Sequence, residues 1–315
     1  MIYTVTLNPA IDKTIQVERL KRGTLNRVQK SLINIGGKGI NVSLCLKALE
    51  EESVALGVAG GKGGRQIREG LLHEQITSVF LETGEEIRTN IKIVETDGTL
   101  TELNEKGTRI SSELLETFFH VLDGRIVEGD ILILSGSVPE GVPGTIYRDM
   151  IRLAHRKGAK AILDADGELF KLGVEAQPDV VKPNYEEFIR YTGLEPECSE
   201  QEFLKAAKQL LSQNISCVIL SKGSEGAYFL DNRREKCFYC PALDVPVSST
   251  VGAGDAMVAA WACAMTRGYD AEKAICLTMA ASAATVMTAG TRPPALERVQ
   301  ELETKVSWNL KTLKK

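Results

Sequence analysis

The chain has 315 residues, of which 43% are hydrophobic and 25% charged, and its formal net charge is −4. This composition is typical of a globular protein, and so small a negative charge gives no electrostatic basis for binding nucleic acid or an anionic membrane. The first residues, MIYTVTLNPA, lack the regions of a signal peptide, and no apolar run is long enough to span a bilayer. We therefore expect a small-molecule partner.

Strand-like and helix-like segments alternate along most of the chain. The opening IYTVTL is β-rich and ends in the turn NPAID, and further strands are predicted for SVALGVAG, DILILSGSV, AKAILDAD, DVVKPN and SCVILSKG. Helical spacing of apolar residues predicts helices in GINVSLCLKALEE, SSELLETFFHVLDGR, GTIYRDMIRLAHRKG, SEQEFLKAAKQLLSQ and AEKAICLTMAASAATVM. The alternation favours an α/β fold with a mostly parallel central sheet and helices on both faces.

Two segments depart from this alternation. Residues 13–35 and 87–103 alternate apolar and polar side chains without helices between them, and TDGT at 96–99 predicts a hairpin turn. We expect them to form a small antiparallel β lid that projects from a single domain spanning 1–315.

The segment NIGGKGINV (34–42) predicts an anion-binding helix start. Gly36, Gly37 and Gly39 allow backbone amides to approach a ligand, at the positive end of the helix that follows. Lys38 adds a full charge and Asn41 a polar side chain. An anionic sugar is the ligand that this combination favours, and a plain tight turn is the alternative.

The segment GVAGGKGG (57–64) resembles a phosphate-binding loop only superficially. Leu56 and Gly63 stand where a Walker A loop needs Gly and Ser or Thr, and Gln66 replaces the last Gly of a dinucleotide motif. We therefore interpret the segment as a strand end that turns into a helix.

Two segments that follow predicted strands are candidates for the nucleotide site. In KPNYEEF, Asn184 and Glu187 lie at positions i and i+3 of an emerging helix, a spacing suited to Mg²⁺ through water and to phosphate. In LSKGSEGAYF, a set of small and polar residues could border a nucleotide or form a plain hairpin: Ser221, Lys222, Gly223 and Gly226.

Cys237 and Cys240 form a CxxC pair in KCFYCPA, a spacing found in zinc and redox sites. No second pair of ligands lies near them in the sequence. We interpret them as buried strand cysteines, and the odd number of seven scattered cysteines fits reduced thiols in the cytoplasm.

The segment TVGAGDAM repeats the glycine-rich design near the other end of the chain. The small residues Gly252, Ala253 and Gly254 leave amides exposed at a helix start, where they can stabilise charge on a transferring phosphoryl group. Asp255 follows in the first turn, where a carboxylate can accept a proton from a bound hydroxyl. A helix cap would explain the acid, but not three side chains no larger than methyl.

Taken in order, these segments resemble the ribokinase-type carbohydrate kinases, the phosphofructokinase-B family. The resemblance runs from TLNPAID through GGKGINV, SGSVPEG, VKPNYEE and LSKGSEGA to TVGAGD, and so covers essentially the whole chain. It implies a ribokinase-like three-layer α/β/α fold. The opening MIYTVTLNPAID, the LNR at 25–27 and the Lys in GGKGINV are similar to the subgroup of 1-phosphofructokinases and tagatose-6-phosphate kinases.

The resemblance implies transfer of a phosphoryl group from ATP to a sugar hydroxyl, with Mg²⁺ and room for a monovalent cation. Asp255 would be the base, and the amides of residues 252–254 would form the anion hole. The other implied roles fall into three groups: sugar hydroxyls bound by Asp12 (at the end of the first strand), Gly37 and Asn41; the sugar's own phosphate bound by Lys38, Arg88 and Arg27; and ATP surrounded by Lys182, Asn184, Ser221, Lys222, Gly223 and Gly226, with Glu187 organising Mg²⁺.

The expected substrate is fructose 1-phosphate, with tagatose 6-phosphate and fructose 6-phosphate as alternatives. A non-catalytic sugar-phosphate sensor on the same fold is the alternative outside the enzyme class, although a sensor needs no base such as Asp255. One departure from the family pattern bears on the sugar, because DADG at 164–167 places an extra acid, Asp166, near the substrate. The resemblance also implies a homodimer formed through the lid.

Overall fold

Short apolar runs form the centre of the molecule, in a computed structural model that describes residues 1–232 and 234–312. Segments such as IYTVT and ILILS become strands buried on both sides, as a parallel sheet requires. The strands are β1 Ile2–Thr6, β2 Ala10–Val17, β3 Lys30–Gly36, β4 Ser53–Val58, β5 Thr77–Leu81, β6 Arg88–Glu95, β7 Leu100–Asn104, β8 Ile131–Ser135, β9 Lys160–Asp164, β10 Val180–Val181, β11 Cys217–Ser221, β12 Ala227–Asp231, β13 Lys236–Cys240 and β14 Asn309–Lys311.

The helices follow the apolar periodicity of the sequence, and the predicted ones are present. They are α1 Lys38–Ala48, α2 Gly61–His73, α3 Ser112–Asp123, α4 Ile146–Arg156, α5 Gly167–Val174, α6 Tyr185–Thr192, α7 Glu200–Leu211, α8 Ala253–Thr266, α9 Ala271–Val286 and α10 Leu296–Glu303. In the described residues, no helix combines the length and the apolar character needed to cross a membrane.

The main sheet has the strand order β14-β13-β12-β11-β10-β9-β8-β1-β4-β5. The strands from β5 to β11 in this order pair in parallel, whereas β12, β13 and β14 pair antiparallel at one edge. The mostly parallel sheet is therefore confirmed. At the antiparallel edge, the pairing of β11 with β12 matches the hairpin that the sequence offered as one alternative for LSKGSEGAYF. The carboxyl ends of the parallel strands meet at one edge, which is where α/β sheets bind ligands.

Helices cover both faces of this sheet, which confirms the three layers. One apolar core contains side chains of α3 to α7, among them Phe118, Tyr147 and Phe188. The other contains side chains of α1, α8, α9 and α10, among them Leu46 and Trp261. Alternate residues of central strands such as β1 and β8 point into the two cores, as the period of a strand demands.

The two segments predicted as a lid form a separate four-stranded sheet, which we call the lid sheet, with the order β3-β2-β6-β7. The pairs β2·β3 and β6·β7 are antiparallel, and the 96–99 turn closes the second of them. These two pairs join through a parallel pairing of β2 with β6. A third apolar cluster packs the base of the lid sheet against α2, with Ile11 and Ile87 opposite Ile67 and Leu71.

The CxxC cysteines lie on β13 and are both buried. Residues three apart on a strand point to opposite faces, so Cys237 belongs to one core and Cys240 to the other. Two thiols on opposite sides of a sheet cannot bind one metal ion or form a disulfide with each other. The interpretation as buried strand cysteines fits this geometry.

The glycine-rich start of α2 is already occupied by a side chain of the chain itself. Glu86 accepts hydrogen bonds from the backbone N–H of Gly63 at 2.6 Å and of Lys62 at 2.9 Å. These bonds lower the pKa of Glu86, with that from Gly63 the stronger. The segment 57–64 is thus a strand end that turns into a capped helix. This agrees with its mismatches to the Walker A and dinucleotide motifs.

Candidate active site

One cavity of about 360 Å³ at the carboxyl edge of the main sheet brings together residues from distant parts of the sequence. It lies between the lid sheet and the starts of α1 and α8. The predicted site residues that line it are Asp12, Gly37, Lys38, Asn41, Arg88, Lys182, Asn184, Glu187, Ser221, Gly252, Gly254 and Asp255. Most of the predicted catalytic, sugar and nucleotide residues therefore share one site.

Two helices that begin at this cavity, α1 and α8, start on glycine. Gly37 is the N-cap of α1 and Gly252 is the N-cap of α8, and neither has a side-chain cap. Gly252 has φ of 87°, a left-handed conformation that favours glycine. The first amides of a helix have no partner within it and carry its positive end. Both helix starts can therefore bind anions.

Asp255 is buried in the first turn of α8, where it is 6% exposed. Its Oδ2 accepts a hydrogen bond of 2.8 Å from Nδ2 of Asn41. Burial raises the pKa of Asp255 to about 6, against the attraction of Lys38. Since Gly252 is the cap, Asp255 is not simply a capping residue. A carboxylate with a pKa near neutrality is suited to accept a proton.

A buried carboxylate, Asp164, joins two lysines at the centre of the site. Its Oδ1 lies 3.1 Å from Nζ of Lys182 and 3.4 Å from Nζ of Lys38. Burial alone would raise the pKa of Asp164, but the two ammonium groups outweigh it and the net shift is downward. Asp164 in turn raises the pKa of Lys38. Asp164 therefore holds both ammonium groups in place.

A second cavity, of about 260 Å³, adjoins the first and contains Lys38 and Arg88. Arg88 is anchored by a hydrogen bond of 3.0 Å from Nη2 to the carbonyl of Asn8. Its buried Nε has no partner in the described residues. Two cationic side chains, one of which has an N–H donor without a partner, make this cavity a candidate for a phosphate group. Asp166 also lines it, as the N-cap residue of α5 without a capping hydrogen bond.

A third cavity, of about 570 Å³, lies on the other side of the α8 start. Apolar side chains line part of it: Leu243, Val245, Val247, Met257, Met279 and Val286. Gly223, Gly226, Ala253 and Gly254 line it as well. An apolar slot next to exposed backbone amides is suited to a base and its phosphates. The turn at 223–225 also joins β11 to β12, so this segment is both a hairpin and a cavity wall.

Asn184 and Glu187 bind each other's backbone at the start of α6. Glu187 N–H donates to Oδ1 of Asn184, and Asn184 N–H donates to Oε2 of Glu187, both at 2.8 Å. This reciprocal arrangement is a capping box, which explains the i and i+3 spacing locally. It leaves Oε1 of Glu187 outside the box, in a residue that lines the first and second cavities.

Three predicted residues lie elsewhere than expected. Asp12 is not at the end of the first strand but within β2, on the lid sheet. Lys222 pairs with Glu225 at 2.7 Å and stacks over the ring of Tyr185. Arg27 is exposed on the 18–29 loop and, within the described part of the chain, lines none of the three cavities.

Sequence reasoning missed Asp164, Asn90 and Lys92. The signal for Asp164 was an acid at the end of a buried strand, in AILDADG. Asn90 and Lys92 both make contacts with Asp12 from β6. Their role depends on the pairing of β2 with β6, which no local pattern encodes.

The chain matches the pfkB family of carbohydrate kinases over residues 5–298. It is 35% identical to a 1-phosphofructokinase of Haloferax volcanii, over 97% of each chain. It is 34% identical to a 1-phosphofructokinase of Bacillus subtilis, over 91% of this chain and 93% of the relative. It is also 33% identical to a tagatose-6-phosphate kinase of Staphylococcus epidermidis, over 82% and 83%.

Solved structures with the same fold include phosphofructokinase-2 of Escherichia coli in complex with substrates and products. The TM-score to it is 0.91 at 26% sequence identity, over 96% of this chain and 98% of that chain. A tetrameric inhibited form of the same Escherichia coli protein gives a TM-score of 0.88 at 26% identity, over the same shares.

Proposed function

Because the chain belongs to the pfkB family of carbohydrate kinases, we propose that it transfers a phosphoryl group from ATP to fructose 1-phosphate, giving fructose 1,6-bisphosphate. The observation that carries this proposal is the position of Asp255. It lies in the first turn of α8 and lines the first cavity, which shares Lys38 and Arg88 with the second cavity and Gly254 with the third, apolar one. A base placed between two candidate phosphate sites is what a sugar-phosphate kinase needs.

In this mechanism the sugar's own phosphate binds to Lys38 and Arg88. This binding brings the free primary hydroxyl of the sugar to Asp255. Asp255 accepts the hydroxyl proton as the oxygen attacks the γ-phosphorus, and the bond to the β,γ-bridging oxygen breaks. The amides of Gly252, Ala253 and Gly254 stabilise the charge on the phosphoryl oxygens. Asn41 orients the carboxylate through its hydrogen bond. Lys182 lies beside the same amides.

Mg²⁺ would neutralise charge on the ATP phosphates. It usually keeps several waters and takes only one or two protein carboxylates besides the phosphates. Glu187 fits this demand, because one of its oxygens is fixed by the capping box and the other is outside it. Ser221, Gly223 and Gly226 would border the nucleotide. A monovalent cation would also bind, without assigned ligands.

Tagatose 6-phosphate is the second candidate substrate, favoured by the 33% identity to a tagatose-6-phosphate kinase. The test is a coupled assay of ADP release with fructose 1-phosphate, tagatose 6-phosphate, fructose 6-phosphate and the unphosphorylated sugars. We expect the highest kcat/KM with fructose 1-phosphate. A highest value with either 6-phosphate would reassign the substrate, and no turnover with any of them would favour a sensor.

We also infer a homodimer formed by the outer face of the lid sheet. Ile33, Ile91 and Leu103 lie in one row across this sheet, next to Lys13 and opposite to the face that carries Asp12. Ile33 is 57% exposed and Leu103 is 54% exposed. A small sheet with an uncovered apolar face is marginal by itself. Sedimentation should give a dimer at micromolar concentration, and a fully active monomer would contradict it.

In such a dimer the exposed 18–29 loop with Arg27 would lie near the partner, so Arg27 is the predicted phosphate ligand that most depends on assembly. Buried free thiols such as Cys217 and Cys263 support a reducing compartment, and we place the kinase in the cytoplasm.

A further inference from the structure

The face of the lid sheet that looks into the cleft carries a row of polar side chains. The register pairs Asp12 of β2 with Asn90 of β6, and Lys92 follows Asn90 by two residues. Because the side-chain period of a strand is two, Asp12, Asn90 and Lys92 share one face. Asp12 and Asn90 line the same cavity as Asp255.

Both oxygens of the Asp12 carboxylate are bound by β6. Asn90 donates from Nδ2 to Oδ1 at 2.9 Å, and Lys92 donates from Nζ to Oδ2 at 3.2 Å. On the other side, the backbone of β3 packs so closely that a Cβ added at Gly36 would lie 2.8 Å from Cγ of Asp12. The carboxylate therefore has a single orientation.

This arrangement is not explained by stability. Lys92 is only 8% exposed, and the desolvation of a buried ion pair offsets most of its attraction. Asn90 adds a second cost, because a carboxylate only accepts hydrogen bonds and the amide nitrogen must therefore face Asp12. The amide oxygen of Asn90 is then left buried and without a partner in the described residues. A buried acceptor without a donor is unfavourable unless a ligand supplies one.

We propose that Lys92 and Asn90 are positioning residues that orient Asp12 toward two neighbouring hydroxyls of the sugar, and that Oδ1 of Asn90 accepts a hydrogen bond from one of them. Each carboxylate oxygen keeps a lone pair for the substrate after its contact with β6. The site then selects phosphorylated ketoses with adjacent ring hydroxyls over analogues that lack one. This inference rests on the proposed function and names the residues that recognise the hydroxyls of its sugar.

The test compares wild type with Lys92→Met, which keeps the length of the side chain without its charge, and with Asn90→Ala. The substrates are fructose 1-phosphate and its 3-deoxy and 4-deoxy analogues. A site built around a hydroxyl rejects the analogue that lacks it, here by at least about 100-fold in kcat/KM for wild type. In both variants we expect this discrimination to fall by about tenfold or more, with the KM for ATP unchanged.

Three further variants distinguish a loss of Asp12 orientation from a general loss of activity. Lys92→Arg keeps the charge and should restore most of the discrimination. Lys92→Met in an Asp12→Ala background should cause little further loss, because the residues act as one unit. Lys205→Met removes an exposed lysine from α7 and should behave as wild type.

The outcomes are distinct. If wild type turns over fructose 1-phosphate and a folded Lys92→Met protein discriminates against the deoxy analogues as strongly as wild type does, this inference is overturned. The proposed function is then left intact. No wild-type turnover of any phosphorylated ketose overturns the proposed function and this inference together. If Lys92→Met does not fold, the same measurement on Asn90→Ala decides.

Discussion

Asn41 at the start of α1 donates a hydrogen bond of 2.8 Å to Asp255 at the start of α8, although 214 positions separate the two residues in the chain. The bond ties the two helix starts together at the point where the sugar and the nucleotide would meet. The proposed base is thus held by a residue of the proposed sugar site, and the orientation of its carboxylate depends on both helix starts.

The first prediction concerns proton transfer by Asp255. Asp255→Asn keeps the shape and a hydrogen-bonding group but removes the base, so kcat should fall by about 10²–10⁴-fold. The KM values should change little, since neither substrate depends chiefly on this carboxylate before reaction. Steady-state kinetics with fructose 1-phosphate and ATP measure both. Retention of more than about a tenth of wild-type kcat would disprove the assigned role.

The second prediction concerns stability, because burial raises the pKa of Asp255 to about 6 from an ordinary 3.8. Above pH 6 the folded protein contains a buried ionised carboxylate, which destabilises it. The penalty declines as the pH falls through 6 and is gone below about pH 4, where the unfolded chain is protonated as well.

Asp255→Asn should therefore raise the free energy of unfolding by on the order of 3 kcal/mol above pH 6, and by almost nothing below about pH 4. Urea unfolding across pH measures this difference. Glu116→Gln, which neutralises an exposed acid of α3, is the matched control. A gain that did not depend on pH would argue against ionisation as its cause.

The third prediction concerns the second cavity. Lys38→Ala and Arg88→Ala should each raise the KM for the sugar phosphate by roughly ten- to a hundredfold, the loss of one charge-assisted contact. In Lys38→Ala the Asp164 carboxylate keeps Lys182 as its partner, so the KM for ATP should stay almost constant. An equal loss for ATP would place these residues at the nucleotide instead.

The fourth prediction concerns the anion hole. A Cβ at position 254 would lie 3.2 Å from Nζ of Lys182, and a larger side chain would cover the amides at the start of α8. Gly254→Val should be nearly as inactive as Asp255→Asn, but with weakened ATP binding as well. Titration with a non-hydrolysable ATP analogue distinguishes the two variants. Normal affinity in Gly254→Val would mean that the γ-phosphate lies elsewhere.

The sequence was most informative where structure depends on neighbours along the chain. Runs such as ILILS and helical periodicities predicted the main sheet and its layers, because burial on two faces requires continuous apolar strands. The segments around Lys38 and Asp255 were recognised for a similar reason: a loop of small residues before a helix is a local feature.

What sequence patterns could not supply were contacts set by strand pairing. The contacts of Asn90 and Lys92 with Asp12 follow from the parallel register of β2 and β6. The contact of Asp164 with Lys182 follows from the pairing of β9 with β10 in the main sheet. Lys222 shows that an intact motif does not fix where a side chain points. Its side chain pairs with a neighbouring acid, Glu225.

The carboxylate of Glu86 at the start of α2 has a consequence for how the protein meets the phosphorylated metabolites of a cell. Three glycine-rich helix starts could each attract a stray anion, but at one of them Glu86 already occupies two backbone amides. That anion is covalently part of the chain, so it is not lost on dilution and a free anion must compete with it. Sugar phosphates and nucleotides are thereby kept from a decoy site that would lie at the foot of the lid.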